Sequence, residues 1–139
     1  MKNHLKIFLV CLALASGLLF ADSILKRFDV NPGYNKVTVI WETAEETGIK
    51  GYELQRGLTE TSFSRLTYMD CKNDNQSSHK YEYEDMSVFK TSTAGARTYY
   101  YRIKIEKTDG SFELSAVEKV VPTVSSARQT WGSIKAMFR

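Results

Sequence analysis

The run Thr98–Ile105 constrains the fold of this chain most, because its side chains alternate strictly in character. Every second residue is aromatic or aliphatic, namely Tyr99, Tyr101, Ile103 and Ile105. The residues between them are Tyr100, Arg102 and Lys104. Successive side chains of a β-strand point to opposite faces, so the pattern predicts a strand with one core face and one solvent face.

Six further segments have strand-like composition and are separated by turn signals. They are Ile24–Val30, Lys36–Thr43, Gly51–Arg56, Phe63–Met69, Tyr81–Glu84 and Phe112–Val121. Asn31–Gly33, which contains Pro32, predicts a turn after the first segment, and Asp109–Gly110 predicts a hairpin before the last. Seven such strands in about a hundred residues predict an all-β, immunoglobulin-like antiparallel sandwich. A β-barrel is the competing all-β arrangement.

The first residues have the order of a secretory signal peptide. Lys2 and Lys6 give a short positive start, and Ile7–Phe20 follows without a charge. Ala21 supplies the small residue at the exit, so we predict cleavage before Asp22 and export to the periplasm, the cell surface or the medium. An uncleaved N-terminal anchor is the alternative, although a membrane span needs about 20 apolar residues.

Removal of residues 1–21 would leave a chain with almost balanced charge. Of the 19 basic and 16 acidic residues of the whole chain, 17 and 16 would remain, because only Lys2 and Lys6 are lost. A net charge of +1 lacks the cationic excess that tracks a phosphate backbone, so no nucleic acid partner is expected. Cys71 and His79 would be the last residues of their types, too few for an internal disulfide or a usual zinc site. We therefore expect neither a metal nor another cofactor.

Residues 23–121 resemble a fibronectin type III domain of the kind found in exported bacterial proteins. Five segments match the second, third, fifth, sixth and seventh strands of that family in order and spacing: Val37–Trp41, Gly51–Arg56, Tyr81–Tyr83, Tyr99–Lys104 and Asp109–Ser115. The resemblance implies that Trp41 lies in the core and that Tyr99 is the corner tyrosine, whose hydroxyl bonds to the preceding turn. The connection Val88–Thr98 is longer than the family's usual turn. The family's usual role is a spacer or interaction module of cell-surface and secreted proteins.

No catalytic motif is visible after residue 21. The chain has no Gly-x-Ser-x-Gly, phosphate-binding loop or catalytic Cys/His pair, so we expect a non-enzyme. The acidic residues that could form an acid–base pair are interpreted as solvated; they are Glu45, Glu46, Glu82, Glu84 and Asp85.

The polar segment between residues 70 and 80 is interpreted as a hairpin loop. It contains possible calcium ligands without the spacing of the known calcium loop, namely Asp70, Asn73, Asp74 and Asn75. Cys71 lies in the same segment and is expected to be exposed. It is either an incidental thiol or a site of intermolecular disulfide formation.

Two surfaces are candidates for partner binding. The outward residues Tyr100, Arg102 and Lys104 form either a polar and aromatic binding stripe or a solvated sheet face with charge pairs. The C-terminal residues form a basic amphipathic tail, predicted to be helical, whose candidate residues are Trp131, Ile134, Lys135, Met137, Phe138 and Arg139. The tail could dock on its own domain, on a partner protein or on an anionic membrane surface.

These expectations divide the chain into a signal peptide (residues 1–21), a sandwich (22–122) and a tail (123–139). The predicted function is that of an exported, non-catalytic binding or assembly module of the cell envelope or secreted fraction. Its partner would be an unidentified envelope or extracellular protein. The alternative is a carbohydrate-binding module that contacts polysaccharide through exposed tyrosines.

Overall fold

The computed structural model describes residues 24–72, 74, 76–90, 97–123, 134, 135, 137 and 138. The expected signal peptide and the expected start at Asp22 lie outside the described residues, as do Trp131 and Arg139 of the tail. Within these described ranges, no helix has the length and apolar character needed to cross a membrane.

The described chain forms two antiparallel β-sheets. Its strands are β1 (Leu25–Gly33), β2 (Lys36–Thr43), β3 (Ile49–Gly57), β4 (Phe63–Asp70), β5 (Lys80–Asp85), β6 (Tyr99–Lys107), β7 (Phe112–Leu114) and β8 (Glu118–Val120). A short 3₁₀ helix, Ser87–Lys90, lies between β5 and β6. The first sheet has the order β1-β2-β5, and the second has the order β4-β3-β6-β7, with β8 also paired to β6. The predicted all-β class is confirmed.

The core lies between the sheets and is built by the predicted alternation. Trp41 of β2 and Tyr99 of β6 are 0% and 5% exposed, which confirms the expected burial of both. The rings of Trp41 and Tyr81 stack with centroids 5.3 Å apart, and Tyr52 lies 5.0 Å from Tyr81. The other fully buried apolar side chains are Val37, Val39, Leu54, Val88, Tyr101, Ile103 and Ile105. Each large side chain buried in this way contributes roughly 1.5–3 kcal/mol.

The predicted turn at Asn31–Gly33 is wrong. β1 runs through these residues and pairs Gly33 with Lys36. Pro32 is tolerated there because β1 is an edge strand among the described strands, where a missing N–H can face away from the ladder. The chain reverses one residue later, and Asn35 takes the positive φ of 55° that the tight turn needs.

The predicted strand Phe112–Val121 is also wrong, because it is two strands. β7 ends at Leu114 and β8 begins at Glu118. At the break, the N–H of Ile103 donates to Oγ of Ser115 over 2.8 Å, and the N–H of Ser115 donates to the carbonyl of Ile103 over 2.9 Å. A side-chain hydroxyl thus replaces a backbone carbonyl in the ladder, and regular pairing stops there.

Candidate functional site

The predicted stripe of Tyr100, Arg102 and Lys104 lies on the outer face of the five-stranded sheet, where all three residues are half-buried. β6 pairs with β3, so that Arg102 is opposite Gln55 and Lys104 is opposite Glu53. Glu53 and Gln55 therefore share the outer face with the stripe.

Three cationic side chains of this face lie over aromatic rings. The pairs, with the distance from cation to ring centroid, are Arg102–Phe63 (4.1 Å), Arg65–Tyr68 (5.2 Å) and Lys104–Phe112 (5.0 Å). A cation–π contact at an exposed site contributes about 0.5–1 kcal/mol and keeps the long side chain against the sheet. We call these six residues and Tyr100 the basic–aromatic face.

Polar contacts order the same surface. Nε of Arg102 donates to Oε1 of Gln55 over 2.7 Å, and Nζ of Lys104 donates to Oε1 of Glu106 over 3.0 Å. The bond from Lys104 holds the pKa of Glu106 below its ordinary value. The face therefore combines aromatic contact area with an ion pair within β6 and a cross-strand hydrogen bond from Arg102 to the uncharged Gln55.

A second polar cluster, which the sequence analysis missed, surrounds Glu46 in the β2–β3 turn. The expected solvated carboxylate is wrong here, because the side chain is only 6% exposed. The carboxylate lies within hydrogen-bond distance of four side-chain groups: the hydroxyls of Tyr52 and Tyr81 (both 2.8 Å), Nδ1 of His79 (2.5 Å) and Sγ of Cys71 (3.2 Å). Burial favours the neutral form of Glu46, but these hydrogen bonds outweigh it and lower the pKa of the carboxyl.

His79 is held between two carboxylates. Its Nδ1 faces Glu46, and its Nε2 lies 2.7 Å from Oδ1 of Asp74. The bond to Asp74, supported by that to Glu46, raises the pKa of His79 even though desolvation opposes it. The N–H of Gln76 and then His79 lower the pKa of Asp74. Through its two ring nitrogens, the imidazole therefore links the β2–β3 turn to the β4–β5 connection.

The expected exposure of Cys71 is wrong, since the residue is 9% exposed. Burial, followed by the nearby Glu46, raises the pKa of the thiol to about 11. A thiol of this kind is a poor nucleophile at neutral pH, and both ring nitrogens of His79 already face carboxylate oxygens. Asn73 and Asn75 lie outside the described residues. Across the part of the chain that is described, no three His, Cys, Asp or Glu side chains are grouped to hold a metal ion.

A third cluster lies at the other end of the sandwich around Asp85, which is fully buried. The carboxylate accepts from Nη1 of Arg56 (2.5 Å), from the hydroxyl of Tyr101 (2.9 Å) and from both the N–H and the hydroxyl of Ser87. Tyr101, two residues beyond the expected corner tyrosine Tyr99, thus donates its hydroxyl to a carboxylate at the end of β5. Tyr99 instead lies under the guanidinium of Arg56, 5.3 Å from its ring centroid.

The described tail residues are exposed. Ile134, Met137 and Phe138 are 38%, 84% and 87% exposed, and Lys135 is exposed as well. Ile134, Lys135 and Met137 are helical, as the amphipathic pattern predicts.

No protein-family model and no curated protein matches the chain. Two crystal structures of the pectate lyase PelI from Erwinia chrysanthemi, one in complex with tetragalacturonic acid, are similar to it. Their TM-scores are 0.51 and 0.52 at 14% sequence identity, over 67% and 69% of this chain. The pectate lyase Pel3 from Pectobacterium carotovorum gives a TM-score of 0.49 at 10% identity over 71% of this chain. This chain spans 27% of each of those pectate lyase chains, and the likeness to PelI concerns the fold alone.

Proposed function

We propose that this chain is an exported, non-catalytic binding module with a fibronectin type III-like sandwich, and that its basic–aromatic face binds an envelope or extracellular partner. The strand order supports the finer fold assignment. In a constant-type immunoglobulin domain the fourth strand belongs to the same sheet as the first, second and fifth strands. Here β4 pairs with β3 instead, which suits the fibronectin type III arrangement. Export rests on the sequence of residues 1–21.

The observation that carries the binding function is the basic–aromatic face. Aromatic residues and arginine are enriched where proteins bind one another, because they give large contact areas with polar tips. On this outward side of β3, β4 and β6 the cations outnumber the carboxylates by four to three: Lys50, Arg65, Arg102 and Lys104 against Glu53, Asp70 and Glu106. The partner surface should therefore carry negative charge.

The polar clusters support a non-catalytic role. His79 contacts carboxylates through both nitrogens, and burial keeps Cys71 protonated. His79 and Cys71 therefore hold loops together. Among the described clusters, no base lies free beside a deprotonated nucleophile.

A pair of double variants tests the proposed face. Arg102→Gln with Lys104→Gln should reduce co-sedimentation of the purified chain with isolated envelopes of the producing cells, and the loss should resemble the effect of raised salt. The control is Arg27→Gln with Lys36→Gln on the outer face of the three-stranded sheet, which removes the same charge. Equal co-sedimentation of both variants, with equal melting temperatures, would contradict the proposal.

A carbohydrate-binding role is a second candidate. The half-buried Tyr100 borders a hollow that also contains Arg97, so an aromatic ring and a cation lie side by side there.

A further inference from the structure

A hydroxyl-rich hollow of about 390 Å³ opens at the end of the sandwich near Asp85. The side chains important for its chemistry are Arg56, Arg97, Tyr99, Ser62, Ser64 and Ser87, and none of the described residues that line it is acidic. A second hollow of about 380 Å³ shares Leu58 and Arg97 with the first and adds Thr98 and Tyr100. The two hollows adjoin at Leu58 and Arg97, and we refer to them together as the groove.

Arg56 is fixed in place before any ligand arrives. Its Nη1 donates to Asp85 over 2.5 Å and to Oγ of Ser87 over 2.7 Å, and its guanidinium lies over the ring of Tyr99. Both of these hydrogen bonds start from one nitrogen of a group that carries five N–H donors. The remaining donors of Arg56 can serve a ligand without loss of the bonds that position the side chain.

The charge of the groove favours an anion. Asp85 is 0% exposed and is compensated by Arg56, whereas Arg97 is exposed and adds a second guanidinium. The planar fork of a guanidinium matches the two oxygens of a carboxylate.

The rest of the lining favours a sugar as the carrier of that carboxylate. Ser62, Ser64 and Thr98 place hydroxyls where ligand hydroxyls can bond. Tyr100 and Leu58 in the adjoining hollow offer apolar area to the C–H face of a sugar ring. We propose that the groove binds a carboxylated sugar unit of an acidic polysaccharide, with Arg97 and Arg56 on the carboxylate. The groove is a second site beyond the one proposed above, and it meets the basic–aromatic face at Tyr100.

Calorimetric titration with a short alginate oligosaccharide tests the site. The probe should bind, and the same oligosaccharide with its carboxyls reduced to alcohols should not. Arg97→Gln should weaken binding about 10- to 100-fold, the range expected for a charge-assisted contact. Arg97→Lys should give an intermediate loss, because it keeps the charge without the fork. Arg27→Gln, on the outer face of the three-stranded sheet and outside the groove, is the control and should bind normally.

Four results would overturn the site. Equal binding of the carboxyl-reduced probe would show that the carboxylate does not contribute to the affinity. Equal or tighter binding of a polyglutamate peptide would make the ligand an acidic peptide. Normal alginate affinity of Arg97→Gln, or no alginate binding by the unaltered chain, would exclude the groove. These outcomes leave the proposed function standing as long as the envelope assay still distinguishes the Arg102 and Lys104 variant from its control.

Discussion

Nδ1 of His79 lies 2.5 Å from Oε2 of Glu46, and this contact joins the β4–β5 connection to the β2–β3 turn. Asp74 holds the opposite nitrogen of the ring at 2.7 Å. Because both partners are carboxylates, the contact is strongest while the imidazole is protonated. The stability of this end of the sandwich should therefore depend on pH.

The free energy of unfolding should fall as the pH rises through the raised pKa of His79. A group whose pKa is higher in the folded state stabilises the fold fully below its unfolded value, about 6.5 for histidine, and loses that contribution above the folded value. Urea melts across the neutral to alkaline range measure this. His79→Gln should be less stable near neutrality and should lack the alkaline decline that depends on this group. A wild-type chain whose stability stays level across that range would contradict the assignment.

Glu46 and Asp74 should act in the opposite direction. Their lowered pKa values mean that their stabilising contribution is present above about pH 4.5 and is lost as the pH falls through the folded values. Acid titration followed by circular dichroism should show that Glu46→Gln unfolds with a weaker acid dependence than the wild type. An unchanged acid transition in this variant would mean that other carboxylates dominate it.

Cys71 should resist alkylation in the folded chain. Its burial and its pKa of about 11 leave little accessible thiolate at neutral pH. Iodoacetamide followed by intact mass should label the thiol rapidly in denaturant and slowly in buffer. Rapid labelling of the native chain, or a disulfide-linked dimer in non-reducing electrophoresis, would support the exposed thiol that the sequence suggests.

Trp41→Ala should destabilise the fold by about 3–5 kcal/mol, because it removes a fully buried side chain and leaves a cavity. Ile40→Ala on the same strand is the matched control, since Ile40 lies on the outer face and is half-buried. Its cost should be clearly smaller in parallel denaturant melts. Similar losses in the free energy of unfolding for both variants would mean that the face of β2 assigned to the core is wrong.

Phe138→Ala should leave the melting temperature almost unchanged, because the side chain is 87% exposed and surface substitutions usually change stability by less than about 0.5 kcal/mol. If the tail contributes to docking, the same variant should reduce association with isolated envelopes. A clear drop in melting temperature with normal association would show that the tail is packed on its own domain.

The alternation of β2 and β6 could be predicted because it depends only on neighbouring residues along one strand. Every inward residue from Tyr99 to Ile105 is buried as expected. The break at Ser115 could not be predicted, because it depends on a bond to Ile103 in the paired strand. The turn predicted from the residues around Pro32 was wrong for a similar reason. Proline is tolerated in β1 because this strand lies at a sheet edge, which depends on strand pairing and not on local composition.

The cluster around Glu46 was beyond the reach of sequence patterns. Its partners come from positions 52, 71, 79 and 81, which share no spacing that marks a site. The available signal was weaker: a carboxylate, the last histidine and the last cysteine all lie near predicted strand ends at one end of the sandwich. The groove at the opposite end was missed for a similar reason, since Arg56 and Arg97 are separated by two strands and a long connection.

The stacked pair of Trp41 and Tyr81 gives the molecule an optical reporter of its own. Their planes differ by only 7°, and the indole Nε1 of Trp41 is buried without a hydrogen-bond partner among the described residues. An indole in such dry, rigid surroundings should fluoresce at short wavelength and give a strong near-ultraviolet dichroic band. The short-wavelength emission and the dichroic band should be lost together when the two sheets separate, so melts of this chain can be followed without an added dye.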